Sequence, residues 1–351
     1  MKKQLLNQLQ GEDTPKKTLK VVHIINYAGN GGSEKYIKIL GGDFLIYNIA
    51  GPLTSHFNCT NIKMRHPLDL KAAKQIAKFC KKNSINIVHT HFARENYIAI
   101  LSKLFGNKVK VVYTSHINLK NNLPWKILNK IFTRHNHAVI AVCNSVKELL
   151  IQNGYKKDKI KIIYNGATSV ELKLIEDNQF DKGYSYLSIP QVVTLARLSE
   201  EKGLFFLCDI AKEMPNIQFI IAGEGVLENE LKKYAPSNVS FPGHIKASEV
   251  LEKASLYINT STSEALSFGI LEALGYGIPI IAANVGGNID IIRESNAGKL
   301  IEPGNAKDAL EKIKHVLENR AEYSKNALHA INTIFSEEEM KRKTYEVYYL
   351  H

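Results

Sequence analysis

Short runs of aliphatic and β-branched residues alternate with segments of helical periodicity along most of this chain. In the first half the apolar runs fall at 21–26, 44–50, 85–90, 109–114 and 138–142, with amphipathic stretches at 70–83 and 96–105 between them. The second half repeats the pattern, with apolar runs at 192–196, 217–222, 256–260 and 278–283 and helical stretches at 204–213, 227–234 and 306–318. Near-continuous apolar strands alternating with helices are the signature of parallel sheets covered on both faces. The pattern therefore predicts two doubly wound α/β domains with a cleft between them. The expected division is an extension at 1–18, a first domain at 19–170, a linker at 171–190, a second domain at 191–335 and a closing helix at 336–351. That last segment opens on Ser336 before three glutamates, a good helix start, and ends in Tyr345, Tyr348 and Tyr349. A tyrosine stripe of this kind suits a helix that crosses back to pack on the first domain.

Composition narrows the class. A chain of 351 residues has room for two domains, and 44% hydrophobic with 23% charged residues is the profile of a soluble globular protein. No apolar run approaches the ~20 residues of a membrane-spanning helix. The apolar part of the N-terminal segment is too short and broken for a signal peptide. Cys59, Cys80, Cys143 and Cys208 are dispersed without metal spacing, which fits a reduced, cytoplasmic setting. The net charge of +12 conceals an asymmetry: residues 1–170 carry 27 basic against 8 acidic side chains, and residues 171–351 carry 19 against 26. The basic half should attract an anionic partner such as phospholipid, nucleic acid or a phosphorylated substrate. No nucleic-acid recognition motif accompanies the charge, so nucleic acid is not expected.

Ligands of doubly wound folds bind beyond the carboxyl ends of strands, and the chemistry of this chain clusters there. The first apolar run ends in a turn containing Gly29, Gly31 and Gly32, followed by a helix. A dinucleotide fingerprint would need glycine at position 34, which is Glu34. Arg197, Lys202 and Gly203 follow the run 192–196, where two cations could bracket a diphosphate. A second glycine turn, Gly223 to Gly225, closes the next run. After the run 256–260, Glu264 stands in a loop and Glu272 in the helix expected to start near Ser267, two carboxylates in an otherwise apolar stretch. An unpaired buried charge is costly, so these acids reach either water or a ligand.

Arg197 with Lys202 and Gly203, the turn Gly223 to Gly225, and Glu264 eight positions before Glu272 occur in the order and spacing of retaining glycosyltransferases of family 4. The segments Ala273–Pro279 and Gly286–Ile292 resemble that family as well, as do Gly31 to Glu34, Val88 to His91 and Val112 to His116 in the first half. The resemblance implies the GT-B fold, two Rossmann-like domains facing across a cleft that holds a nucleoside-diphosphate sugar, UDP-linked by expectation. It implies that Arg197 and Lys202 hold the diphosphate, that Glu264 contacts the donor sugar on its reacting side and that Glu272 accepts from the ribose. The start of the helix at Ser267, Phe268 and Gly269 would meet phosphate or sugar through its amides, backbone near His244 and Ile245 would meet the base, and Gly223 is a further donor-binding position. His116 would approach the sugar from the first domain, while Gly31 and Gly32 let acceptor and phosphate come close. Neither metal nor other cofactor is expected.

The chain departs from the family pattern at two places. Asn165 to Thr168 lacks an acid, and Ile289 and Asp290 stand where proline and glutamate are common. Both bear on domain closure and sugar choice rather than on the diphosphate contacts.

The resemblance places a glycan or lipid-linked acceptor on the basic half and points to capsule, exopolysaccharide or lipopolysaccharide assembly. The segment 119–134 joins Trp125 and a Leu/Ile/Phe stripe to Lys126, Lys130 and Arg134. It reads equally as a covering helix and as a basic amphipathic helix in an anionic membrane interface. With the charge asymmetry, peripheral attachment to the inner face of the plasma membrane is the expectation. His89 and His91 share a strand face but have no acidic or sulfur partner nearby in sequence, so they are not read as a metal pair. A nucleotide-sugar epimerase and a non-catalytic glycosyltransferase-like subunit are the competing readings.

Overall fold

The structure is a computed structural model, which describes residues 19–116, 120–170 and 189–350. The extension at 1–18 and most of the linker, 171–188, lie outside the described residues. The chain divides into two compact units, residues 1–164 with 338–351, and residues 165–337.

The first unit is built on a seven-stranded parallel sheet of order β3-β2-β1-β4-β5-β6-β7. Its strands are β1 (Val21–Tyr27), β2 (Phe44–Ile49), β3 (Asn58–Asn61), β4 (Ile87–Thr90), β5 (Lys110–Ser115), β6 (Ala138–Ala141) and β7 (Ile160–Ile162). β4 and β6 are buried along their whole length; β6 is an unbroken apolar run, while β4 ends in His89 and Thr90, whose side chains hydrogen-bond to Thr114 and to the Val112 carbonyl. The amphipathic stretch at 70–83 is the helix Leu70–Asn83. Asp69 caps it by accepting from the Ala72 amide, and its face of Ala72, Ala73, Ile76 and Cys80 enters the core beside Val22, Ile24 and Val88.

The closing helix, Glu337–Tyr349, belongs to this first unit almost entirely. Tyr348 donates to or accepts from His89 Nδ1 at 2.6 Å, and Lys110 Nζ and His137 Nε2 reach the Tyr348 and Val347 carbonyls at 3.2 and 2.9 Å.

The second unit carries a six-stranded parallel sheet of order β10-β9-β8-β11-β12-β13. The strands are β8 (Gln191–Leu195), β9 (Gln218–Ala222), β10 (Val239–Gly243), β11 (Leu256–Asn259), β12 (Ile280–Ala283) and β13 (Gly298–Ile301). Leu204, Leu207, Cys208 and Ala211 of the helix Leu204–Lys212 pack with Phe219, Ile221, Ile258, Ile281 and Ile313 to form its core. The segment 165–170 goes with this unit rather than with the first, as its hydrogen bonds dictate. Ala167 N donates to the Phe335 carbonyl at 2.9 Å and Val170 N to the Gly275 carbonyl at 3.0 Å.

In both sheets the chain starts near the middle, works outward to one edge, then returns to build the other side. The reversal lies between β1 and β4 in the first sheet and between β8 and β11 in the second. At such a switch point the loops leaving two adjacent strands part in opposite directions and open a crevice.

Candidate active site

The loops that leave β8 and β11 carry the second unit's chemistry. Beyond Leu195 the chain passes through Arg197 into a short 3-10 turn, Glu200–Lys202, and then Gly203 at φ 63°. A side chain at Gly203 would meet the Thr260 carbonyl at 2.1 Å, so glycine is required for the two loops to touch. That contact brings Lys202 against the β11 loop. Its ammonium donates to Glu264 Oε1 at 2.6 Å, with the two side chains 20% and 11% exposed. Ser261 Oγ donates to the same oxygen at 2.8 Å and Asn259 Nδ2 approaches it at 3.4 Å. The carboxylate is thus charge-compensated and hydrogen-bonded in place, which resolves the burial problem its sequence context posed.

Arg197 is brought to the same strand end but not into this pair. Its exposed guanidinium meets Glu201 Oε1 at 2.9 Å, and Ser199 Oγ donates to that oxygen at 2.7 Å. The Ser199 hydroxyl and then Arg197 hold the Glu201 carboxyl below its ordinary range. Lys202 and Glu264 are therefore assembled, while Arg197 lies on the rim.

Two residues that the sequence reading did not single out position Glu264. Asn288 Nδ2 donates to Asn259 Oδ1 at 3.1 Å and to the Ala283 carbonyl at 3.1 Å, and Asn259 Oδ1 also accepts from Ser261 N at 3.2 Å. The paired glycines before Asn288 let its helix approach. At Gly286, φ 51°, a Cβ would fall 1.8 Å from the Glu264 carbonyl, and at Gly287 1.9 Å from that of Ala265. The signal available in sequence was Asn259 at the end of an apolar strand, a polar side chain where the core pattern stops.

Glu272 lies in the helix Phe268–Gly275, which Ser267 caps through its hydroxyl. Phe268 and Gly269 supply the first amides of that helix, a favourable place for an anion. Gly269 packs against the Tyr257 hydroxyl, where a Cβ would come within 2.3 Å. Tyr257 is fully buried, and burial with the nearby Glu272 and Glu264 charges pushes its phenol up. Gly223, at φ 142°, closes β9 with its amide on the Gly243 carbonyl at 2.9 Å, next to His244 and Ile245.

In the first unit, the loop after β1 is organised by Glu34, the residue that excludes a dinucleotide fingerprint. Its buried carboxylate accepts from Gly29 N, Gly31 N and Ser33 Oγ at 3.2, 3.1 and 2.8 Å. Gly31 and Gly32 stand at the start of the following helix, Gly32–Leu40. His116 follows β5 and is half-buried.

Behind His116 lies a group that sequence spacing did not reveal in full. His89 and His91 stack at 4.6 Å, and His23 on β1 joins them. The ligand atoms of His23, His89 and His91 lie within 4.8 Å of one another, a convergence compatible with a metal ion. Their ring nitrogens are engaged in hydrogen bonds. His23 Nδ1 meets His91 Nε2 at 2.9 Å, His23 Nε2 meets the Gly41 carbonyl at 2.7 Å, His91 Nδ1 meets His116 Nε2 at 3.2 Å and His89 Nε2 meets Thr114 Oγ1 at 2.7 Å. Burial holds His23 down to about 4 and His116 to about 3, so these imidazoles are neutral at pH 7.

The sequence profile of the group 1 glycosyl transferases matches residues 176–332, and that of glycosyltransferase family 4 matches residues 22–168. An Escherichia coli UDP-Gal:alpha-D-GlcNAc-diphosphoundecaprenol alpha-1,3-galactosyltransferase is 27% identical over 300 residues, 74% of this chain and 75% of that one. Among solved structures, the Anabaena protein HepE in complex with UDP and glucose superposes with a TM-score of 0.79 at 18% identity, covering 94% of this chain and 99% of that one. The lipopolysaccharide outer core galactosyltransferase WaaB in its apo form gives a TM-score of 0.73 at 16% identity, covering 94% and 99%.

Proposed function

We propose that this chain, which belongs to glycosyltransferase family 4, is a retaining enzyme that moves a hexose or N-acetylhexosamine from a UDP-sugar to a glycan or lipid-linked acceptor. Its setting in this proposal is the assembly of a bacterial surface polysaccharide, capsule or lipopolysaccharide. The observation that carries the reading is the Lys202–Glu264 pair at the switch point of the second sheet, with Arg197 on the same strand end. Arg197 and Lys202 bracket the donor diphosphate and stabilise the charge that grows on it as the sugar leaves. Glu264 faces the reacting side of the sugar, Glu272 accepts from the ribose hydroxyls, and the amides of Phe268 and Gly269 meet the phosphate. The acceptor attacks the face from which the nucleotide departs, and the departing phosphate takes the acceptor's proton. In this scheme the cations and amides offset the diphosphate charge, with no metal or other cofactor.

The UDP and glucose bound to the Anabaena neighbour and the diphosphoundecaprenol substrate of the Escherichia coli relative support this donor and acceptor class. A panel of UDP-, GDP-, ADP- and dTDP-sugars, scored for hydrolysis and for a rise in melting temperature, tests it. UDP-sugars should be hydrolysed slowly and raise the melting temperature. The reading fails if no nucleotide sugar does either.

The same proposal places the enzyme on the cytoplasmic face of an anionic membrane. Among the described residues no helix is long and apolar enough to cross a membrane. In the helix Leu123–Phe132, Trp125 turns inward and stacks on Tyr97 at 5.5 Å, so it is a packing residue and not part of a membrane face. Leu123, Ile127 and Ile131, one turn apart, are instead 69%, 55% and 50% exposed, beside the exposed Lys130 and Arg134. An apolar ridge flanked by cations suits an anionic bilayer surface. Flotation with phosphatidylglycerol vesicles at low salt should retain the protein and lose it on Ile127→Glu, and no flotation of the wild type would remove this part of the proposal.

A further inference from the structure

Ligands of doubly wound folds bind beyond the carboxyl ends of strands. The first unit also has an opening at the opposite edge of its sheet, a cavity of about 790 Å³ at the amino ends of β4 and β5, which Ile87 and Lys110 begin. Its size is that of a small-molecule site. Ala77, Cys80, Ile85, Ile87 and Val109 give it an apolar floor. Lys81, Lys108 and Lys110 line it as well, and among the described residues no aspartate or glutamate does. The helices Leu70–Asn83 and Glu337–Tyr349 end beside it, and two lysines answer their last carbonyls. Lys20 Nζ donates to the Asn83 carbonyl at 3.3 Å, and Lys110 Nζ to those of Tyr348 and Leu350 at 3.2 and 2.5 Å. Lys81 and Lys108 are exposed, and neither ammonium has an ion-pair or hydrogen-bond partner among the described residues. Two cations are thus left over beside an apolar floor. At the mouth stands the 3-10 turn Ser102–Phe105, whose Phe105 lines the cavity at 41% exposed, next to Leu104 at 73%.

We propose that this cavity binds one anionic phospholipid, its phosphate at Lys81 and Lys108 and the first methylenes of its acyl chains on the apolar floor. The inference rests on the membrane placement in the reading above and extends it through residues other than the ridge of Leu123, Ile127 and Ile131. The headgroup supplies the negative charge that the lining lacks. A free phosphate meets the same two lysines but leaves the floor in water, and an uncharged amphiphile covers the floor but leaves the lysines unanswered. An amphiphilic anion is the class that uses both. Leu104 and Phe105 then lie against the neighbouring acyl chains, as apolar side chains flanked by lysines do at an anionic bilayer surface.

The test titrates full-length protein with dihexanoylphosphatidylglycerol, kept monomeric, in a calorimeter. The lipid should bind saturably, one molecule per chain. Dihexanoylphosphatidylcholine, of equal chain length and no net charge, should bind about tenfold more weakly, and so should glycerol 3-phosphate, which has the charge without the chains. The double variant Lys81→Ala with Lys108→Ala should lose about tenfold in affinity for the phosphatidylglycerol lipid. Both side chains are exposed, so its melting temperature should match the wild type. In flotation with phosphatidylglycerol vesicles, Leu104→Glu should lower retention.

Absence of saturable binding, equal affinity for the phosphatidylcholine lipid, or wild-type affinity in the double variant overturns the proposal. Glycerol 3-phosphate binding as tightly as the lipid assigns the cavity to a soluble phosphate and overturns it too. Full retention of Leu104→Glu on vesicles refutes the bilayer contact at the mouth. Flotation of Ile127→Glu tests the ridge and hydrolysis of nucleotide sugars tests the enzyme, whereas binding of a monomeric lipid tests the cavity alone, so the three failures are distinguishable.

Discussion

Replacing Glu264 by glutamine removes one charge while leaving the shape of the loop and an acceptor for Ser261. The Lys202–Glu264 pair lies between two regimes. Exposed pairs contribute roughly 0–1 kcal/mol, and breaking a buried one costs about 3–5 kcal/mol. With side chains 20% and 11% exposed and a 2.6 Å contact, this pair belongs in the middle. Glu264→Gln should therefore destabilise the second unit by about 1–3 kcal/mol, a fall in melting temperature of roughly 3–8 °C. Lys202→Met should cost a similar amount, since it leaves the Glu264 charge less compensated. The double variant carries neither charge and should recover about 1 kcal/mol or more of the summed loss. Urea melts of the four proteins complete the cycle. Activity separates the roles further, because Glu264→Gln should lower UDP-sugar hydrolysis about 10²–10³-fold beyond any change in stability. Losses that add to within about 0.5 kcal/mol would show that the ion pair does not couple these residues, and full activity in Glu264→Gln would remove its assignment.

The neutral histidines make the first unit acid-sensitive. Their stabilisation is complete above the unfolded value of 6.5 and is lost as pH falls towards about 4 for His23 and about 3 for His116, costing roughly 2 kcal/mol each by pH 5 in denaturant melts. Glu95 has the opposite sign. Fully buried with neither carboxyl oxygen hydrogen-bonded, it is pushed up to about 7 by burial, so its contribution is present below 4.5 and lost as pH rises through 7. Glu95→Gln should accordingly stabilise the protein by about 1–3 kcal/mol at pH 8 and show little gain at pH 5 in the same melts. Gly286→Ala should cost about 1–3 kcal/mol and abolish hydrolysis, because its Cβ would displace the Glu264 carbonyl 1.8 Å away; wild-type turnover in that variant would contradict the close approach.

What could be read from the residues divides along a physical line. The central strands of both sheets are buried on two faces, and each was legible as an apolar run. β3, β7, β10 and β13 were not, and all four are edge strands. β3 is Asn58-Cys59-Thr60-Asn61, with hardly an apolar side chain, because an edge strand with an open face has no core to satisfy. Lys202 and Glu264 were legible because each follows a strand end, where the fold places ligands. Their mutual contact, the Asn288–Asn259 support and the His23–His91–His116 chain were not. Each joins residues tens of positions apart through the order of strands, and no local spacing encodes that order. Trp125 misled in the other direction, since an aromatic beside lysines reads as an interfacial anchor until its stacking partner Tyr97 is known.

The last helix has a consequence for biogenesis. Thr344, Val347 and Tyr348 are buried within the first unit, and Tyr348 completes the hydrogen bonding of His89 on its central strand β4. A ribosome makes the seven strands of that sheet first, yet the side chains that finish its interior emerge only after the whole second unit has been synthesised. Until then the first unit keeps an apolar groove and an unanswered imidazole. Completion of the N-terminal half is thus timed by the far end of the chain, and removal of the final helix should leave a nascent protein that collapses but does not lock.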